Sequence, residues 1–97
     1  MKTFYLYLYG RKECCLCQGL EERLLDLPLE KLEPPLKLNL IDIYDKKTSE
    51  KIRDQYDLKV PVLEIVSNDY KDTFELPRVS PRLKGESLML WLKQNLR

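Results

Sequence analysis

The chain has no histidine among its 97 residues. That removes the commonest metal ligand and the usual general base near neutral pH, and with them Cys-His and Ser-His-Asp catalysis and Cys2His2 zinc sites. It also lacks an excess of charge: 17 Lys and Arg against 16 Asp and Glu leave a formal +1. With the two signs interspersed, there is no electrostatic footprint for nucleic acid or for an anionic membrane. The N-terminal apolar run, residues 4–9, is six residues long, too short for a signal-peptide core or a membrane span. The default compartment is therefore the cytoplasm. Cysteine is absent outside positions 14 to 17, which argues against a stabilising disulfide framework, since such a framework ties distant segments together.

What is present describes a globular chain. Hydrophobic residues make up 43% and charged residues 34%, a balance that separates it from disordered sequences. Its length supports one modest core, so residues 1–97 are expected to form a single domain.

The three cysteines follow a strand-like aromatic run, in Gly10-Arg11-Lys12-Glu13-Cys14-Cys15-Leu16-Cys17. Cys14 and Cys17 make a C-x-x-C, which at a strand-to-helix junction reads as a thioredoxin-like dithiol site. A helix starting at Cys14 or Cys15 aims its unpaired N–H groups at the Cys14 sulfur, and these favour thiolate over thiol, as does the helix dipole. Thiolate is the nucleophilic form. Arg11 and Lys12 would add to that stabilisation and Glu13 would oppose it. Cys15 reads as a passive neighbour, since a Cys14–Cys15 bridge would be strained; its other role would be a third redox thiol.

Strand and helix signals alternate along the chain. Residues 2–9, from Lys2, are apolar or aromatic on both parities and predict a central strand buried on both faces. Leu16, Leu20, Leu24 and Leu27 recur at helical spacing until Pro28, and residues 28–35, with three prolines, form a loop. Leu36-Lys37-Leu38-Asn39-Leu40 alternates and runs into Ile41-Asp42-Ile43, predicting a second buried strand. Residues 45–57 offer Ile52 and Tyr56 as an i, i+4 pair behind an Asp45 N-cap. Residues 60–66 and 70–76 read as a hairpin about a turn at Ser67-Asn68-Asp69. Leu88, Trp91, Leu92 and Leu96 share one face of a closing helix, with Trp91 in the core. Tyr5, Tyr7 and Tyr9 read as core and sheet packing. Arg78 and Arg82 read first as part of a solvated turn and otherwise as a site for an anionic partner.

This β-α-β-α-β-β-α order, with the dithiol after strand one and Val60-Pro61 opening strand three, resembles the thioredoxin fold. In particular it is similar to the small bacterial and cyanobacterial glutaredoxin-like proteins with a C-x-L-C site and a V-P-V-L strand, here Cys14-Cys15-Leu16-Cys17 and Val60-Pro61-Val62-Leu63. The resemblance implies an α/β four-stranded mixed sheet with helices on both faces and a cis Val60-Pro61 bond packed beside Cys14 and Cys17. It implies a thiol–disulfide oxidoreductase in which Cys14 attacks and Cys17 resolves. Arg11, Lys12, Val60 and Pro61 would hold the substrate, a disulfide-containing protein or glutathione, with Val60 offering its N–H and C=O to an extended peptide.

No cofactor is required for such exchange, although glutathione would enter as a co-substrate. The reductant that restores the dithiol would be glutathione or a thioredoxin-type reductase, and the protein a monomer. Two departures bear on the substrate. Cys15-Leu16 stands where typical glutaredoxins have Pro-Tyr, and Leu76-Pro77-Arg78-Val79-Ser80-Pro81-Arg82 where they have Gly-Gly followed by acidic residues. Two other classes stay open: a metal or iron–sulfur carrier, which would need a fourth ligand from outside the chain, and a non-catalytic peptide-binding module on the same fold.

Overall fold

The computed structural model describes residues 3–96; Lys2, expected to open the first strand, lies outside the described residues. Within that range the chain runs β1 (Phe4–Gly10), α1 (Cys15–Leu25), a 3-10 turn (Leu29–Lys31), β2 (Leu36–Asp42), α2 (Glu50–Tyr56), β3 (Val62–Ser67), β4 (Thr73–Glu75) and α3 (Gly85–Asn95). The strands lie in the order β2-β1-β3-β4. β1 is parallel to β2 and antiparallel to β3, and β3 is antiparallel to β4. This is the expected element order, in a four-stranded mixed sheet, with a 3-10 turn added inside the proline-rich loop.

Register explains the two layers. Leu6 pairs with Leu38 and Ile65, and Leu8 with Leu40 and Leu63, so these side chains project from one face of the pleat. There Leu6, Leu8, Leu63 and Ile65 join Leu20 and Leu24 of α1 and Leu88 and Leu92 of α3 in the main core. Each fully buried leucine contributes about 1.5–3 kcal/mol. On the other face Tyr9 and Val62 are closed by Tyr56 and Ile52 of α2. Trp91 is half-buried against the main core rather than inside it.

Four other sequence expectations change. β1 is buried on one face only; on the other, Tyr9 is buried but Tyr5 and Tyr7 are half-exposed, because the seven-residue α2 packs on the Tyr9 end. β2 is an edge strand, not a doubly buried one, and Leu40 is 44% exposed. α2 begins at Glu50 behind Ser49, not behind Asp45. The Asp42 and Asp45 carboxylates accept the N–H groups of Tyr44 and Lys47 at 2.9 and 2.8 Å, folding the preceding residues into turns. Short polar side chains of this kind compete with helix for the backbone. Ser49 Oγ then accepts the Ile52 N–H at 3.3 Å and starts the helix. Finally, α1 buries Cys17, Leu20 and Leu24, leaving Leu16 48% exposed in its first turn.

Among the described residues no helix is long and apolar enough to cross a membrane.

Leu20 is fully buried where α1 meets the sheet, so Leu20→Ala is expected to lower unfolding free energy by about 2–5 kcal/mol. Ser49→Ala removes only a cap, at about 1 kcal/mol. Urea titration of both variants checks this; a smaller loss at Leu20 than at Ser49 contradicts the packing described.

Candidate active site

β1 ends at Gly10, and the Cys14 N–H donates to Arg11 O at 3.2 Å, turning the chain into α1. Cys14 is the N-cap of α1, in extended conformation with φ −97 and ψ 105. Its carbonyl accepts the first helical bond, from the Gln18 N–H at 3.1 Å, and its Sγ accepts the Cys17 N–H at 3.1 Å. A sulfur thus occupies the place where a serine or aspartate oxygen normally satisfies an orphan donor of the first turn. One helical turn brings the Cα of Cys17 to 5.2 Å from that of Cys14, and the two are disulfide-bonded. Cα spacings of about 4.4–6.8 Å suit a disulfide. Cys14 is half-buried, Cys17 is 5% exposed, and Cys15 is a free, exposed thiol. Among the described residues no group of three His, Cys, Asp or Glu side chains is gathered as metal ligands.

The second apolar cluster surrounds the pair. Cys17 packs with Tyr9, Ile43, Tyr56, Val60 and Val62, and Cys14 lies against the same group. Val60 thus belongs to the same cluster as Cys17 and is joined to Pro61 by a cis peptide bond. Its N–H is not available to a peptide as expected, because it donates to Tyr56 O at 3.0 Å. Pro61 and Leu16 share a slot of about 30 Å³ with Arg23, Arg78 and Val79.

The cations are placed less simply than their order in the sequence suggests. Arg11 Nη1 lies 3.6 Å from Asp57 Oδ1, and Asp57 also accepts the Tyr44 hydroxyl, so Arg11 is drawn toward the end of α2. Lys12 is exposed, and its carbonyl accepts Gln18 Nε2 at 2.6 Å. Both cations border a groove of about 370 Å³ that opens beside Gly10, Cys17, Leu40 and Asp42. On the other side Arg78 donates to Lys59 O at 2.9 Å, and Arg23 donates to Ser80 O and Leu83 O. These arginines tie down the segment between β4 and α3. Sequence reasoning missed Asp57, for which no pattern signals a partner, and the brace made by Arg78.

Two phenols flank the pair. Tyr9 and Tyr56 have ring centroids 4.8 Å apart. Burial, and then a 2.9 Å hydrogen bond to Glu64 Oε1, hold the Tyr9 phenol well above its ordinary range. Burial, and then the Glu64 and Glu75 carboxylates, push Tyr56 up to about 12.

The glutaredoxin-like domain family (DUF836) matches residues 5–93. No curated protein matches the chain. A solved structure described as that of a malarial protein is similar with a TM-score of 0.61 at 19% identity, covering 98% of this chain and 99% of that one. A likeness at that identity speaks to fold alone.

A phenol pKa raised by folding means that the unfolded chain releases the proton first as pH rises. Stability is then full below the ordinary value of 10.0 and falls as pH climbs to about 12 for Tyr56. The urea midpoint is expected to drop across that window, and to drop less in Tyr56→Phe. Equal drops in the two proteins would contradict this placement.

Proposed function

The chain belongs to the glutaredoxin-like domain family, and from that premise we propose that it is a thiol–disulfide oxidoreductase working through a Cys14/Cys17 dithiol. The observation that carries this reading is the Cys14 sulfur at the N-cap of α1, accepting the Cys17 N–H and within bonding reach of the Cys17 sulfur. That position favours negative charge on sulfur, through both the N–H group and the helix dipole.

In the reduced protein the Cys14 thiolate attacks one sulfur of a substrate disulfide. A Cys14–substrate bond forms, and the other substrate sulfur leaves as thiolate and takes a proton. Cys17 then loses its proton, attacks Cys14 Sγ and forms the internal disulfide, releasing the second substrate thiol. The substrate gains two electrons and two protons, and the protein dithiol becomes a disulfide. A thiol reductant, either glutathione or a thioredoxin-type reductase, reverses the last change. The substrate is a protein or glutathione mixed disulfide, the compartment is the cytoplasm, and the protein acts as a monomer without a bound cofactor.

Binding uses the two sides of Cys14. Val60 contributes its carbonyl, its N–H being engaged by Tyr56, and Pro61 and Leu16 supply the apolar wall beside it. Lys12, exposed at the rim of the groove, offers its cation to a substrate carboxylate. Arg11 does so once it leaves Asp57. The exposed Cys15 thiol stands outside the exchange.

The test is turnover of a glutathionylated peptide with a thiol reductant present. Cys14→Ser is expected to fall to background, Cys17→Ser to stop, before the reductant is added, at a Cys14 mixed disulfide visible by mass spectrometry, and Cys15→Ser to retain native turnover. Native turnover in Cys14→Ser would sink the reading.

A further inference from the structure

The chain has three glycines, and they answer to different needs. Gly85 has φ +54, the left-handed region that favours glycine, and Gly19 has open space, since an added Cβ would meet nothing within 4 Å. Gly10 has neither property. A Cβ there would lie 3.0 Å from Cys17 Cβ and 3.3 Å from Cys17 Sγ.

We propose that Gly10 is a positioning residue for the resolving cysteine: its missing side chain leaves the space in which Cys17 Sγ must sit to bond Cys14. The inference rests on the dithiol reading above. The two contacts have different consequences. Cys17 Cβ is fixed by the backbone of α1, so crowding at 3.0 Å is present whether the cysteines are oxidised or reduced, and costs fold stability alone. Sγ is different. The disulfide fixes its rotamer, whereas a free Cys17 thiol can move to another staggered position. Crowding at 3.3 Å therefore burdens the disulfide more than the dithiol, and it burdens the attack of Cys17 on a Cys14 mixed disulfide in the same way. Attack by Cys14 on the substrate does not require that geometry.

Gly10→Ala is accordingly expected to lower the equilibrium constant for Cys14–Cys17 disulfide formation by about three- to tenfold, overpacking being costly on this scale. That makes the potential less negative by about 15–30 mV for a two-electron couple. In single-turnover reduction of a glutathionylated peptide, mixed-disulfide formation should keep its native rate and resolution should slow by a similar factor. Gly19→Ala, in the same helix as Cys17 but with nothing to meet, should change neither.

Unfolding of the Gly10 variant in oxidised and reduced forms separates the two contacts, with the larger loss expected when oxidised. A native potential with native resolution, equal losses in the two redox forms, or a reduced variant that does not fold would each overturn the inference and leave Gly10 with a role in the fold alone. If the unsubstituted protein forms no reversible Cys14–Cys17 disulfide, the dithiol reading itself has failed, a result distinct from these.

Discussion

The structure depends on one junction, where β1 hands the chain to α1 and a cysteine sulfur closes the helix N-terminus. An orphan N–H of the first turn must find an acceptor, and here Cys17 gives its N–H to Cys14 Sγ. The same bond that starts the helix sets the two sulfurs one turn apart. Local helix geometry and the placement of the reactive pair are therefore one constraint. The glycine that ends β1 belongs to it, because α1 lies so close to the strand at Cys17 that a Cβ would intrude.

The rest of the fold holds that junction from two sides. The leucine core under α1 and α3 anchors the helix to the sheet. The smaller Tyr9–Tyr56 cluster on the opposite face brings α2 and Val60 against Cys17. Since Val60 gives its N–H to Tyr56 O, the end of α2, the segment leading into β3 and the cysteine pair form one connected unit. Asp57, one residue beyond that helix, also draws Arg11 toward α2. Charge near Cys14 is thus set partly by a residue far from it in sequence.

Much of the fold was legible because apolar spacing reports local periodicity. The element order followed from it and the dithiol turn from the C-x-x-C, whereas β3 starts at Val62 and leaves Val60 and Pro61 in the segment before the strand. Spacing says nothing of neighbours, so β2 read as buried although it became the edge, with Leu40 exposed. It cannot weigh rival hydrogen bonds either. Asp42 and Asp45 bent the chain into turns and left Ser49 to start α2. At the site, Cys14, Cys17 and Val60 were named from their motifs and are brought together. The engagement of the Val60 N–H and the pairing of Arg11 with Asp57 arise from tertiary contacts that no local pattern encodes.

The most direct measurement is a redox titration in defined thiol–disulfide buffers, with alkylation and peptide mass mapping to identify which cysteines pair. The account predicts a reversible Cys14–Cys17 disulfide with a potential between about −180 and −270 mV, the span from protein disulfide isomerase to thioredoxin, and a Cys15 alkylated throughout. Three thiols that remain reduced across the titration, or a pairing that involves Cys15, would contradict it.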